Sequence, residues 1–103
     1  MGSPNTIKLF RDLSDCFSAL ADTYRQDIII LLTEKKEMNV SQISEYIELS
    51  RPAISHHLKN LKQAGLVNSQ KRGTENFYFL TLREPLESME KLINLVMNEC
   101  EVR

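Results

Sequence analysis

The feature that most constrains this chain is one helical segment after residue 50, because its start, its apolar side and its end are all marked in the sequence. Ser50 is a favourable N-cap, and Pro52 falls in the first turn, where its missing N–H costs little. Gly65 can adopt the left-handed conformation that ends a helix. We therefore predict one helix that ends at about Ala64 and is followed by a change of chain direction.

A shorter helix precedes this segment and is separated from it by two residues. Ser41 is a candidate N-cap for a helix over Gln42–Glu48, whose inward side carries Ile43 and Ile47. Two short helices joined by so tight a link, the second of them basic, predict a helix-turn-helix.

Two further helices and a terminal helix complete the helical part of the prediction. Apolar residues recur at helical spacing in a first helix, about residues 6–21, and in a last helix over residues 85–103, which Pro85 opens. Between them, a capping box at Thr23 predicts a helix that buries the aliphatic run Ile28–Leu32.

The extended segments predict a β-hairpin. Strand-forming residues occupy 66–70 and 76–82, and they flank a basic tip at residues 71–75, in which Gly73 can take a positive φ. A short extended piece is expected at residues 38–40. The predicted fold is therefore mainly α with a small β-hairpin, in the order helix, helix, helix, helix, hairpin, helix.

Length and composition predict one ordinary globular domain over residues 1–103. Hydrophobic residues make up 42% of the chain and charged residues 26%, which is not the balance of a disordered protein. The longest aliphatic run has five residues, whereas a membrane span needs about twenty. Two cysteines are too few for a disulfide scaffold, so we expect a cytoplasmic protein that does not insert into a membrane.

The net charge of −1 conceals an uneven distribution. Residues 51–74 contain five basic residues and no acidic one, while the rest of the chain has a net charge of −6. Such asymmetry indicates a phosphate-binding surface, although a chance cluster on a solvated face is the alternative. The basic residues are Arg51, Lys59, Lys62, Lys71 and Arg72.

The basic helix places its polar side chains opposite its core side. Ile54, Leu58 and Leu61 share one side, and His56 lies about 200° around the helix from Ile54. Serine and histidine can hydrogen-bond base edges in a major groove, and lysine and arginine can bind phosphates or guanine. The candidate DNA-binding residues are Arg51, Pro52, Ser55, His56, His57, Lys59 and Lys62 on the helix, with Lys71 and Arg72 at the hairpin tip.

Two of these assignments have alternatives. His57 lies about 60° from the centre of the core side, so a packing or structural hydrogen-bonding role competes with DNA contact. Hairpin tips are often charged without binding anything, so DNA contact by Lys71 and Arg72 is favoured only because a basic helix lies beside them.

The segment from residue 50 to 67, SRPAISHHLKNLKQAGLV, resembles the recognition helix of ArsR-type winged-helix repressors. Ala19–Asp22 with Arg25 resembles the start of the same fold, and Gly73 with Tyr78 and Leu80 is similar to its wing. The match covers about residues 10–82. Other winged-helix families, MarR-like proteins among them, share parts of this pattern.

The resemblance implies a winged helix-turn-helix that acts as a homodimeric repressor, with two recognition helices in successive major grooves of an operator. It implies pairing of the terminal helices, about residues 6–21 and 85–103, across the dimer. Burial of their apolar stripes within one subunit is the alternative. The candidate dimer-interface residues are Phe10, Leu13, Phe17, Leu86, Met89, Ile93, Val96 and Cys100.

The metal sites known in that family lack their ligands here. A Glu-Leu-Cys-Val-Cys pattern is replaced by EMNVS at residues 37–41, and the last helix has neither histidine nor aspartate. Asparagine and serine are poor ligands for soft metals. We expect no metal site and no cofactor.

Cys16 and Cys100 lie on the two helices that are expected to meet. They are candidate redox residues for sensing oxidants, reactive sulfur or a metalloid, and the competing interpretation is two small buried hydrophobes.

An enzyme is not expected, since the chain has no glycine-rich phosphate loop, no nucleophile elbow and no cluster of His, Cys and Asp. A winged-helix module that binds protein instead of DNA remains an alternative, and a steep salt dependence of duplex binding would separate the two.

Overall fold

The fold is described by a computed structural model over residues 3–99. Within that range, six helices and three short strands follow one another along the chain, and the predicted mainly α fold with a small hairpin is confirmed. The elements are α1 (Pro4–Asp12), α2 (Ser14–Leu20), α3 (Thr23–Lys35), β1 (Glu37–Met38), α4 (Val40–Ser44), α5 (Arg51–Gln63), β2 (Val67–Arg72), β3 (Glu75–Leu80) and α6 (Arg83–Glu99).

Helix α5 forms as its sequence predicts. The Ser50 hydroxyl accepts a hydrogen bond from the Ala53 N–H at 3.3 Å, which caps the first turn. Gly65 has a φ of +78° and ends the helix. Three residues on one side, Ile54, Leu58 and Leu61, are fully buried and form the centre of the core.

Helix α4 begins two residues earlier than predicted and is shorter. Its N-cap is Asn39, not Ser41: the Asn39 side chain accepts from the Gln42 N–H at 2.8 Å, and the Gln42 side chain accepts from the Asn39 N–H at 2.9 Å. This reciprocal capping box satisfies two helix-end donors at once, so it fixes the start. The predicted remainder to Glu48 forms turns that still bury Ile47.

The predicted first helix is divided at Leu13, and the next helix is capped one residue earlier than predicted. Leu13 is the boundary between α1 and α2, and the division lets it enter the core together with Cys16 and Ala19. Helix α3 is capped by Asp22 rather than Thr23, because the Asp22 carboxylate accepts from the Arg25 N–H at 3.1 Å.

The aliphatic run in α3 is not buried throughout, contrary to prediction. Consecutive helical residues are separated by about 100°, so five of them cannot share one side. Ile28, Leu31 and Leu32 lie in the core, Ile29 is half-buried, and Ile30 is 58% exposed.

The hairpin is part of a three-stranded antiparallel sheet in the order β1-β3-β2. The added strand comes from the expected extended piece, shifted to Glu37–Met38, and it pairs with Tyr78 and Phe79. Pairing between β2 and β3 continues to Arg72 opposite Glu75, so the tip is shorter than predicted, and Gly73 turns it with a φ of +63°.

The terminal helices pack against each other. Helix α6 begins at Arg83, two residues before the predicted Pro85, and buries Leu92. The Glu99 carboxylate accepts hydrogen bonds from the Thr6 hydroxyl at 2.8 Å and the Ser3 N–H at 3.2 Å. The Ser3 side chain is the largest cause of a lowered pKa of Glu99; the Thr6 hydroxyl lowers it next, and the Ser3 N–H contributes less. Across residues 3–99, no helix has the length and apolarity required to cross a bilayer.

Candidate nucleic-acid interface

The outward side of α5 carries the side chains that the sequence singled out. Arg51, Pro52, Ser55, His56 and Lys59 are all exposed, while the opposite side of the helix is buried. His56 has one neighbour that the sequence prediction missed, Asn60, whose amide nitrogen lies 3.5 Å from the His56 Nε2. Because the apolar side of α5 is packed in the core, its polar side faces solvent in a fixed orientation.

His57 belongs to a packed corner between α5 and the start of α3. Its ring stacks on Tyr24 with the centroids 5.9 Å apart, and its Nδ1 lies 3.4 Å from an Arg25 guanidinium nitrogen. The same guanidinium donates to the carbonyls of Ala19 at 2.8 Å and Ser18 at 3.3 Å. These contacts favour the packing role for His57.

The same corner perturbs one carboxyl group. The hydrogen bond from the Arg25 N–H lowers the pKa of Asp22, and the nearby positive charges of Arg25 and His57 lower it further. The carboxylate is thus held charged at the N-terminus of α3, where the helix dipole also favours it.

The wing, which consists of β2, β3 and the turn between them, is less basic in three dimensions than its sequence indicates. Lys71 is exposed, but Arg72 forms a bidentate pair with the Glu37 carboxylate at 2.6 and 2.9 Å and lies 4.9 Å from the centroid of the Phe77 ring. Glu75 is also at the tip, where its carboxylate accepts from the Asn39 amide at 3.0 Å. The carboxylates of Glu37 and Glu75, which are both outside the acid-free segment 51–74, therefore lie at the wing and reduce its positive charge.

Lys62 connects α5 to the sheet. Its ammonium group donates to the Ser69 hydroxyl at 3.0 Å, and its side chain remains exposed. This placement, at the C-terminal end of α5, separates Lys62 from the group formed by Ser55, His56 and Lys59.

A cleft of about 260 Å³ lies between the start of α5 and the wing. It brings Arg51 and Ser55 together with Thr74 and Asn76, four side chains that can donate or accept hydrogen bonds. Thr74 and Asn76 were missed as candidate residues. Their only sequence signal was their position in the predicted hairpin, Thr74 in its tip and Asn76 at the start of its second strand.

The candidate dimer-interface residues separate into three groups. Phe10, Phe17, Leu86 and Ile93 are exposed, and Met89 and Val96 are half-buried against the core. Leu13 is only 4% exposed and packs in the core of its own chain, which for this residue favours the alternative of burial within one subunit. Cys100 lies outside the described residues. Met97, on the same helix as Leu86 and Ile93, is exposed as well.

Cys16 has the surroundings of a packing residue. It is buried, and its Sγ donates to the Ala64 carbonyl at 3.0 Å. Burial raises the pKa of this thiol, and the negative charge of Asp15 raises it further. The reactive form of a cysteine is the thiolate, so these surroundings work against reactivity at neutral pH. Within residues 3–99, no three His, Cys, Asp or Glu side chains are grouped as metal ligands would be.

Comparison with known proteins places this geometry in a family. A family model described as "Bacterial regulatory protein, arsR family" matches residues 22–69. An uncharacterized HTH-type transcriptional regulator of Methanocaldococcus jannaschii is 39% identical over 71 residues, which are 69% of this chain and 80% of that protein. The transcriptional repressor SdpR of Bacillus subtilis is 31% identical over 82% of this chain and 92% of its own length.

A solved structure shares both sequence and fold. The ArsR-like transcriptional regulator from Rhodococcus sp. RHA1 superposes with a TM-score of 0.76 at 30% identity, covering 89% of this chain and 84% of that one. All three proteins are named as transcriptional regulators or repressors. This chain therefore belongs to the ArsR family of bacterial regulatory proteins and is a DNA-binding transcriptional regulator with a winged helix-turn-helix fold.

Proposed function

We propose that the chain is a homodimeric repressor that reads its operator with α5 in the major groove and with the wing on the flanking backbone. Arg51, Ser55 and His56 contact base edges in this proposal, while Lys59, Lys62, Lys71 and Arg72 bind phosphates or the minor groove. Helix-turn-helix dimers place half-sites about one helical turn, roughly 34 Å, apart.

The observation that carries the proposal is the division of α5 into two sides. The side that holds the helix in the core is fully buried, and the opposite side offers an exposed histidine, serine and lysine. Residues 51–74 contribute no carboxylate that would repel a phosphate. Such a helix can enter a groove without any change in the core.

The proposal of a dimer is supported by a second apolar side on the terminal helices. On α6, Leu86, Ile93 and Met97 follow the spacing of one helical face, and all three are more than half exposed. On α1 and α2, Phe10 and Phe17 are also exposed. These faces lie on helices that already bury other residues inward, so a second copy is the expected cover.

The repressor is released, we propose, by a signal that reaches the paired terminal helices and changes the spacing of the two recognition helices. The bonds from Ser3 and Thr6 to Glu99 join the two helices within one chain, so a displacement of α6 would be passed to α1. A thiol-based signal through Cys16 and Cys100 remains the alternative, and the burial of Cys16 counts against it.

The proposal is tested by fluorescence anisotropy of the upstream DNA of the chain's own gene, titrated at two salt concentrations. Lys59→Ala should weaken binding to all sequences and lower the slope of log K against log salt by about one for each phosphate that is no longer neutralised. His56→Ala should instead reduce the preference for the operator over random duplex. Lys91→Ala is the matched control, because Lys91 is an exposed lysine on α6.

The alternative of a protein-binding winged-helix module predicts a different result. A folded dimer that binds neither operator nor random duplex at low salt would contradict the proposed function and favour that alternative. A His56→Ala variant that binds the operator as tightly as wild type would remove His56 from base reading.

A further inference from the structure

A groove between α3 and the turns after α4 has no part in the proposed DNA or dimer contacts. It has a volume of about 280 Å³, and we call it the α3–α4 groove. Three large side chains on it are exposed to solvent: Tyr24 by 43%, Ile30 by 58% and Tyr46 by 56%. Three carboxylates, those of Asp27, Glu34 and Glu48, also line it.

These exposed side chains are not explained by the packing of the fold. Helix α3 already anchors itself through Ile28, Leu31 and Leu32, so Ile30 lies on the side of the helix that faces away from the core. The proposed dimer faces are on α1, α2 and α6, so pairing through them would not involve α3. Aromatic residues around a large aliphatic one are the composition found at the centres of protein interfaces.

The charge of the groove is opposite to that of α5. Of its lining residues in the described part of the chain, Asp27, Glu34 and Glu48 are acidic and none is basic. Lys35 lies beside the groove, with its ammonium nitrogen 5.1 Å from the centroid of the Tyr46 ring. Because three carboxylates repel phosphate, the groove is unsuited to nucleic acid and suited to a positively charged partner.

We propose that the α3–α4 groove binds a basic helical segment of another protein. Asp27 and Glu34 are seven residues apart on α3, which separates them by roughly 10 Å along the helix axis. A partner helix with two arginines seven residues apart can reach both carboxylates while a leucine between them covers Ile30. The tyrosine rings can receive an arginine by cation–π contact.

The groove is also connected to the recognition helix. Tyr24 lines the groove and stacks on His57 of α5 at 5.9 Å, and His57 lies beside Arg25. A partner that moves the Tyr24 ring would therefore disturb a contact of α5. This connection makes the groove a place where a second protein can alter DNA binding without touching DNA.

The test is an NMR titration of the full ¹⁵N-labelled chain with a synthetic stapled helix of about 14 residues, since unstapled helices of this length are marginal in water. The probe carries two arginines seven residues apart with leucine between them. The expected result is a set of amide shifts in residues 24–34 and 45–48, with smaller shifts around His57 through its contact with Tyr24. A scrambled peptide of the same composition should bind at least about five-fold more weakly, which corresponds to about 1 kcal/mol.

Three variants assign the binding to the groove. Ile30→Asp and Glu34→Lys should each weaken the peptide by about five-fold or more, the first by removing the apolar contact and the second by reversing a charge. Glu87→Lys, at an exposed position of α6 about 100° around the helix from the face of Leu86, Ile93 and Met97, is the matched control and should bind as wild type does. Far-UV circular dichroism shows whether each variant is folded. If Ile30→Asp does not fold, the affinity of Glu34→Lys alone tests whether the peptide binds in the groove.

Several results would overturn the proposal: no shifts at millimolar peptide, equal affinity for the scrambled peptide, shifts located on α1 and α6, or unchanged binding by Glu34→Lys. Groove resonances that broaden with protein concentration in the absence of peptide would also overturn it, by identifying a second copy as the occupant. DNA binding is measured separately on the same samples, so failure of the proposed function would not be mistaken for failure of the groove.

Discussion

The pairing of Arg72 with Glu37 leads to a prediction that can be worked out from distances. The two guanidinium nitrogens lie 2.6 and 2.9 Å from the two carboxylate oxygens, and the side chains are 49% and 37% exposed. If the wing contacts DNA, Arg72 must either leave Glu37 for a phosphate or bring the carboxylate close to the backbone. Both alternatives weaken binding, so Glu37→Gln should strengthen it.

The magnitude follows from the exposure of the pair. Exposed ion pairs are worth about 0.2–1 kcal/mol, and the bidentate geometry with the Phe77 ring beside it favours the upper end. Release of Arg72 should therefore increase affinity for duplex DNA by about two- to five-fold. If Arg72 stays on Glu37 in the wild-type complex, the slope of log K against log salt should also steepen by up to about 0.9 for each subunit, because one more phosphate is neutralised.

The assay is fluorescence anisotropy of a labelled duplex over a series of salt concentrations. Glu87→Gln removes the same charge from an exposed position on α6, outside the proposed dimer face, and controls for net charge. A double-mutant cycle completes the test, since Arg72→Ala should abolish the gain made by Glu37→Gln. Equal affinities of wild type and Glu37→Gln, together with no loss in Arg72→Ala, would refute the placement of the wing on DNA.

Four further predictions concern stability, reactivity and assembly. Leu58→Ala should lower the free energy of unfolding, measured in urea, by about 2–5 kcal/mol, because Leu58 is fully buried. His56→Ala should change it by about 0.5 kcal/mol or less, and equal losses in the two variants would contradict the assignment of the two sides of α5. Cys16 should react slowly with iodoacetamide in the folded chain and quickly in urea, as followed by peptide mass spectrometry, because burial raises its pKa. Rapid modification of the folded chain would contradict this prediction and favour the thiol-sensing alternative. Folding lowers the pKa of Asp22, so the stability that this carboxylate contributes is present above its ordinary pKa of 3.8 and is lost as the pH falls through the folded pKa. Asp22→Asn keeps a capping side chain, and the urea midpoint of this variant should depend less on pH than that of wild type in the acidic range. Ile93→Asp should convert the dimer to a folded monomer in sedimentation velocity at micromolar concentration, and a wild-type chain that is already monomeric there would contradict the dimer.

Local signals were sufficient to predict the recognition helix. Ser50, Pro52 and Gly65 act within one or two turns of themselves, so their effect can be read without knowledge of the rest of the fold. The apolar spacing of Ile54, Leu58 and Leu61 then fixed which side faces the core. Elements whose start depends on competing caps were placed less well, as α4 shows, because Ser41 and Asn39 are both good N-caps and only the return bond from Gln42 decides between them.

Contacts between distant residues were beyond a pattern-based prediction. Glu37 contacts Arg72, 35 positions further along the chain, because β1 pairs with β3. A strand of two residues is too short for its pairing to be predicted from its sequence. For the same reason the count of charges over residues 51–74 overstated the basicity of the wing. The stacking of Tyr24 on His57 likewise joins α3 to α5, and no spacing rule within either helix reveals it.

Dimethyl sulfate interference tests whether two copies of α5 read the major groove of one operator. This reagent methylates the N7 of guanine, which lies in the major groove. Operator fragments obtained by selection with the chain are methylated and separated into bound and free fractions. The account predicts two clusters of interfering guanines about one helical turn, roughly 10 base pairs, apart. Clusters that persist but lose a guanine in His56→Ala would assign that base to His56. Tight binding without any interference at guanine N7, or with a single cluster only, would contradict a pair of recognition helices in successive major grooves.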